Sequence, residues 1–521
     1  MISSGFLLAL ILIVGFVGGM LILEKLGLLE PLGMEMSGPL LMWKTKKGRN
    51  LIERIAQKKR FWEIYGSIGL FVVGVAMILI FLLVAFNAYM ATAIPAEHAP
   101  QAEEILVIPG INPFIPVGYG ILSLAVGIIV HEFSHGILSR VADVDIKSLG
   151  LIFLVVPLGA FVEPDEDQIE KTERIKGDRM FAAGATSNII LAIVLVLIFS
   201  TLFMGSVSAE EDGVMIRRIY EGTPAAETDM QSYEQIVEID GKDITGISDI
   251  ESLDINITET NEETLRKIDV RIRRGKDYRT VENVSAGLVV IGILEGFPAH
   301  NAGLEPGIIL HQIDNEPVRN RNDLSSILKE KDEEQEIKLT YWQKNNSDYE
   351  RKHINLTLED GFMGINMGYF GIVYEDADWF PNLLSRPLTA GETGLQPMRF
   401  YFQNAATYIS LPLLGLSPVP EEITGLYEIS GPLSVLPTNV FWILANSIYW
   451  IFWLNILLGL FNALPAVPLD GGHLFKDGLE ALTERLGLGE DLREKVSSGI
   501  TYSVALLVLF LLLWSMIGPR V

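Results

Sequence analysis

The segment His131-Glu132-Phe133-Ser134-His135 sets two imidazoles and a carboxylate inside an otherwise apolar run, "GIIVHEFSHGILS". Histidines four apart on a helix share one face and lie about 6 Å apart along the axis, so both rings can reach a single zinc ion. Glu132 projects about 100° around the helix from His131. It can stand beside the metal's water without being a ligand, which is the position a general base needs. With 7 His in 521 residues, chance supplies only about 0.09 His pairs at this spacing, before a Glu between them is required. A pair of hydrogen-bonded core histidines or of haem ligands would not call for Glu132. A carboxylate near mid-membrane costs about 2.5–3.5 kcal/mol on insertion scales, which marks it as functional.

A catalytic zinc takes three protein ligands and keeps one position for water. Cysteine is absent, which excludes disulfides, a thiolate metal site and a Cys nucleophile, so the third ligand must be His, Asp or Glu. The candidate lies in "LNILLGLFNALPAVPLDGGHLF". There an apolar run ends at Asn462, Pro465 and Pro468 break the helix, and Asp470 follows at a Gly-Gly turn. His473 competes with Asp470 for the role, because imidazole is the commoner zinc partner.

These groups need a scaffold, and composition names its class. With 49% hydrophobic residues and a mean hydropathy of +0.33, the chain reads as a membrane protein. Apolar runs near 4–24, 67–90, 117–140, 180–205, 437–462 and 499–517 predict six transmembrane helices. The first run lacks a basic segment before it and is followed by Lys25, so it reads as a retained anchor. Eight basic residues fall between Lys44 and Arg60 and none in 91–116; the loop 141–179 is basic again. The positive-inside rule then puts 25–66, 141–179 and 463–498 in the cytoplasm and 206–436 outside. That arrangement sets the His pair and Asp470 in the same, cytoplasmic half of the membrane. A net charge of −25 excludes nucleic acid as a partner.

The external insert carries an internal repeat with a constant offset of 74: Gly213 matches Gly287, Glu221-Gly222 matches Glu295-Gly296, Pro224-Ala225 matches Pro298-Ala299, and Ile239-Asp240 matches Ile313-Asp314. The second copy, "GLVVIGILEGFPAHNAGLEPGIILHQIDNEPV", resembles the PDZ domains of bacteria and archaea. The first departs from it, with Thr228-Asp229-Met230 and Tyr233 where the second has Ala302-Gly303-Leu304 and Gly307. PDZ folds bind peptides by adding a strand to a sheet edge. The resemblance therefore implies a peptide ligand, with amides near "GLVV" receiving a carboxylate; a spacer over the membrane is the other reading. The sequons at Asn256, Asn283, Asn345 and Asn355 all fall in this insert, in keeping with an external location.

H-E-x-x-H in one span with N-x-x-P-x-x-P-L-D-G after a later one resembles the site-2 protease family of intramembrane zinc metalloproteases. The likeness extends to "GAFVEPDED" at 159–167 and leaves 1–66 and 361–435 unexplained. It implies that His131, His135 and Asp470 bind zinc, that Glu132 is the general acid/base, and that Asn462 contacts substrate backbone or the developing oxyanion. Asn188 and Pro465 are implied as substrate contacts, with an interhelical hydrogen bond the alternative for Asn188. The segment "SLGLIFLVVPLGAFVEP" at 148–164 is too short and too interrupted by Pro157 and Gly159 for a crossing helix; it resembles the family's membrane-embedded β-hairpin. The implied activity is endopeptidase cleavage of single-span membrane substrates within the bilayer, during regulated intramembrane proteolysis, by Glu-assisted attack of zinc-bound water.

The expected fold is thus a multi-span α-helical membrane protein of about six transmembrane helices, with a membrane-embedded β-hairpin and an external α+β insert of two PDZ-like modules. Its expected domains are an anchor (1–25), a basic cytoplasmic segment (26–66), a membrane core with the His pair and hairpin (67–205), a divergent PDZ-like module (207–286) and a second PDZ-like module (287–360). An interfacial or module-packing segment (361–435) and a second membrane core with the L-D-G motif (436–521) complete the chain. Two rival readings remain: a catalytically silent PDZ-bearing membrane scaffold, and a membrane protease of exposed loops whose third ligand is a Glu, for which the first candidate after His135 is Glu163.

Overall fold

The computed structural model describes residues 4–93, 107–154, 156–169, 171–253, 265–345, 348–385, 406–413 and 421–520, with 99, 101–105, 417 and 419 between them. The sequon at Asn256 and the aromatic stretch 398–405 lie outside the described residues. The chain divides into two compact units, Met1–Phe199 with Ile409–Leu414 and Ile443–Val521, and Ser200–Tyr408 with Gly415–Trp442.

The first unit is mainly helical: α1 (Ser4–Lys25), α2 (Arg49–Ala56), α3 (Lys59–Ala91), α4 (Val117–Val141), α5 (Arg174–Leu197), α6 (Thr438–Asn462), α7 (Asp470–Arg485) and α8 (Glu490–Ile517). Five helices among the described residues are long and apolar enough to cross a membrane: those starting at Lys59, Val117, Arg174, Thr438 and Glu490. α1 is helical over 22 residues but is not among those five. Each long helix buries one stripe and leaves large apolar side chains such as Phe71, Leu82 and Phe86 exposed, as lipid-facing helices do. The buried stripe of α3 begins with Gly66 and Gly69, where a Cβ would meet Arg179 Cβ at 2.9 Å and Thr186 Oγ1 at 2.6 Å. Small residues therefore let α3 approach α5 closely. α5 is the hub of the unit: Ala182 through Asn188 are all buried, and it packs on α3, α4 and α7.

The expected hairpin is present as β3 (Ile146–Leu154) and β4 (Val156–Pro164), antiparallel with Gly150 opposite Phe161. It does not stand alone. Residues 34–45, read from sequence only as part of a basic segment, form β1 (Met34–Ser37) and β2 (Leu40–Thr45), and β2 pairs with β3 so that the sheet order is β1-β2-β3-β4. This added hairpin pairs the backbone groups along β3 that a two-stranded hairpin would leave open. Lys44 of β2 ties the strands together through Glu35 at 2.6 Å and Glu163 at 3.4 Å, and Ser148 bonds Glu163 at 2.5 Å.

The second unit contains two sheets of matching order. The first runs β10-β9-β7-β6-β17 with β8 beside β7; the second runs β15-β14-β12-β11-β16 with β13 beside β12. Here β6 is Val214–Ile219, β7 Gln235–Ile239, β8 Lys242–Asp243, β9 Lys267–Arg274, β10 Asp277–Ser285, β11 Leu288–Ile293, β12 Ile309–Ile313, β13 Glu316–Pro317, β14 Glu336–Asn345, β15 Asp348–Thr357, β16 Ile365–Tyr369 and β17 Ile372–Asp376; β5 (Val207–Ala209) pairs separately with β18 (Tyr427–Ile429). The offset of 74 holds from β6 and β11 through β8 and β13. It extends to backbone conformation, with φ of 51° at Asp240 and 50° at Asp314. Tyr233 adopts φ 69° where the second copy uses Gly307 at 96°, so the substitution keeps the left-handed turn despite the strain that a side chain brings there.

Two sequence expectations change here. The sheets do not end at residue 360: β16 closes the second and β17, three residues on, closes the first. The "GLVV" strand is also not an edge, because β11 pairs with β12 on one side and β16 on the other. A peptide cannot add a strand there, since its backbone groups are already paired.

Candidate metal centre

Two consecutive turns of α4 carry His131 and His135 on one face, as their spacing requires. Asp470 is the first residue of α7, where the positive end of a helix favours a carboxylate. The chain reverses sharply before it. A Cβ on Gly471 would lie 2.3 Å from the Ala463 carbonyl oxygen, and one on Gly472 2.4 Å from the Val467 nitrogen. The two glycines thus let the start of α7 fold onto the 463–468 turn and bring Asp470 to α4.

The three ligand atoms converge. His131 Nε2 and His135 Nε2 stand 3.2 Å apart, and each lies 3.3 Å from Asp470 Oδ2. Together the side chains form a group that could hold a metal ion, with all donor atoms within 4.8 Å. His135 Nδ1 is 2.8 Å from the Met180 carbonyl oxygen, an acceptor, so Nδ1 carries the proton and Nε2 presents a lone pair. Asp470 Oδ2 is buried with no hydrogen-bond donor. Lone pairs brought together without a donor repel unless a cation sits among them, and a set of two imidazoles and one carboxylate with room for a fourth partner suits a catalytic zinc.

Glu132 leaves this cluster free. Its Oε2 accepts the Val162 amide of β4 at 3.1 Å, which holds the carboxylate between the His pair's helix and the sheet edge. Asn188, expected at the substrate, is fully buried on α5 with its amide 3.4 Å from His131 Nδ1. Its Oδ1 is otherwise unpartnered, so turning the amide lets that oxygen accept His131 Nδ1–H, the same service Met180 gives His135. Asn462, at the end of α6, donates to the Leu458 carbonyl of its own helix at 3.0 Å. Pro465 is buried in the turn between α6 and α7. His473 stacks on Phe181 with ring centroids 4.7 Å apart, and Glu163 is engaged by Ser148 and Lys44; neither joins the cluster.

Sequence reasoning passed over Gly184. A Cβ there would stand 2.4 Å from His131 Cε1 and 2.5 Å from Nε2 of both histidines. The bare α-carbon of α5 is the wall against which the two imidazoles rest, and only the closeness of α4 to α5 reveals it.

A helical membrane unit with such a centre belongs to the class of membrane metallohydrolases. The match to the model of peptidase family M50 covers residues 119–511, three quarters of the chain. The chain belongs to that family, and it is a zinc metalloprotease of the site-2 protease type and an integral membrane protein. Two relatives bracket the likeness. An uncharacterised protein of Methanocaldococcus jannaschii is 27% identical over 265 residues, covering 50% of this chain and 67% of that protein. A Neisseria meningitidis protein named "Putative zinc metalloprotease NMA0084" is 22% identical over 470 residues, covering 75% of this chain and 96% of its own length.

Proposed function

We propose that the protein is an intramembrane endopeptidase that cuts single-span, membrane-anchored substrates within their apolar segments, as in regulated intramembrane proteolysis. The observation that carries this reading is the convergence of His131 Nε2, His135 Nε2 and Asp470 Oδ2 beside a Glu132 carboxylate that takes no part in it. Zinc held by these three would supply a Lewis acid able to bring a water's pKa down to about 7. Glu132, which is not one of the three ligands, is placed to take a proton from an attacking water and to return it to the leaving amine. Met180 and Asn188 fix the imidazole rings, and Asp470 completes the ligand set. A helical substrate hides its scissile amide in i to i−4 bonds, so it must unwind before attack, and an extended segment laid against β4 is the form that a strand beside Glu132 receives.

With α1 counted as a sixth span, the loop charges support a cytoplasmic 44–60 and an external insert. The paired sheets of the insert support two PDZ-like modules, and their outer strands β16 and β17, rather than "GLVV", are where a peptide would add. The silent-scaffold reading has no use for the unsatisfied Asp470 oxygen. The test is direct: protein reconstituted in liposomes should cut a synthetic single-span peptide inside its apolar segment, with the bond mapped by mass spectrometry, and lose the activity to a chelator until zinc is restored. Cleavage only in the peptide's polar flanks would overturn the intramembrane reading.

A further inference from the structure

A cavity of about 560 Å³ opens directly beside Glu132, enclosed by α4, the sheet and the N-terminal hairpin. Its walls are mostly apolar: Ile129 and Phe133 from α4, Leu151 from β3, Ala160 from β4 and Trp43 from β2. Gly150 in its lining lets two of the walls close up. A Cβ on Gly150 would meet Phe161 Cε1 at 2.4 Å and the Trp43 carbonyl oxygen at 2.3 Å. Phe161 thus lies over the place that a side chain at 150 would take. Two basic residues, Lys44 and Lys47, lie at its wall, and Lys44 is paired with Glu35 and Glu163.

The cavity shares Glu132 and Val162 with the candidate centre, and Val162 donates to Glu132 at 3.1 Å. Whatever segment lies along β4 with its carbonyl at the metal group must therefore direct an adjacent side chain over this cavity, because side chains alternate along an extended chain. We infer that the cavity is a specificity pocket, that it takes a large apolar side chain flanking the scissile bond, and that the N-terminal hairpin sets its size. The inference rests on the protease reading and adds to it the chemical class of the residue next to the cut. The wall contributed by Trp43 comes from residues that precede the family-matched stretch 119–511. The volume falls within the roughly 300–1,000 Å³ of small-molecule pockets, enough for an aromatic ring.

The experiment uses the full-length protein in lipid nanodiscs and two synthetic single-span peptides that differ only in Phe or Ala beside the mapped cleavage site. The wild type should prefer Phe in kcat/KM by roughly 10-fold or more, the scale at which apolar pockets discriminate. Trp43→Ala should lower the Phe-to-Ala ratio severalfold, and Trp43→Phe should restore most of it. An unchanged ratio, or equal loss on both peptides, would overturn the pocket and leave the hairpin a structural role. A second readout does not need turnover: the same peptide carrying benzoylphenylalanine at that position, bound to Glu132→Gln protein, should photo-crosslink to Trp43, Leu151 or Ala160. Crosslinks confined to other residues would overturn the pocket even if proteolysis is intact. Crosslinks at these residues without cleavage by wild type would instead count against the protease reading.

Discussion

Gly184→Ala sets two magnitudes against each other. In a helix interior, alanine is favoured over glycine by about 0.8–1.0 kcal/mol, so on propensity alone the variant should be more stable. The new methyl, however, would lie 2.5 Å from Nε2 of both His131 and His135, against an ordinary carbon contact of about 3.5–4.0 Å. Relief requires the rings, or α4, to move by about 1 Å. A displacement of that size in a reacting centre costs about 10²-fold. Gly177 lies on the same helix with nothing within 4 Å of its Cβ position, so Gly177→Ala carries the propensity gain without the intrusion. The assay compares the two variants with wild type for bound zinc by atomic emission, for thermal stability and for cleavage of a single-span peptide. Gly184→Ala should lose about 100-fold in kcat/KM and bind zinc more weakly, while Gly177→Ala stays near wild type. Full zinc and activity within about threefold of wild type in Gly184→Ala would refute the packing of the imidazoles against α5.

Asn188→Ala should weaken zinc binding by about 10–100-fold, as loss of a partner to a metal-bound histidine does, and competition with a graded chelator measures it; unaltered affinity would detach Asn188 from His131. A reporter fused within the insert at residue 300 should read external and one at residue 50 cytoplasmic, and the reverse pattern would invert the topology drawn from the loop charges. Asp249 accepts from the Thr245 hydroxyl and from the amides of Thr245 and Gly246, and these bonds hold its pKa below the ordinary carboxylate value. Its contribution is therefore complete above the unfolded-state pKa near 3.9 and is lost as pH falls through the lowered folded-state value. Asp249→Asn should shrink the difference in melting temperature of the insert between neutral and strongly acid pH, and equal differences in variant and wild type would count against this cap.

Much of this molecule could be read in advance where the physics is local. A helix period of 3.6 puts His131 and His135 on one face whatever surrounds them, and an unbroken apolar run has few other fates than a long helix. The 74-residue offset, read from scattered Gly, Pro and Asp positions, corresponds to two sheets of identical strand order. What could not be read depends on distant packing. Residues 34–45 are two short strands beside a basic run, and only their pairing with β3 gives them meaning. The exchange at Gly371, where the chain leaves one sheet and closes the other, has no period of its own. Gly184 and Asn188 stand together in "GATSN", yet nothing in that string shows that the first makes room for the imidazoles and the second bonds one of them. Asn462, the last residue of its helix, donates to the Leu458 carbonyl, a local bond that the motif string does not show.

The central claim is that Glu132 moves the proton while His131, His135 and Asp470 hold the metal. Glu132→Gln tests it most directly, because the amide keeps the side chain's shape and can still accept the Val162 N–H but cannot take a proton. Zinc content and cleavage of a single-span peptide in liposomes are measured on the same samples. The account predicts one zinc per chain in both proteins and a loss of cleavage exceeding the roughly 10²–10⁴-fold typical of general acid/base help. Zinc retained with cleavage within about tenfold of wild type would contradict it.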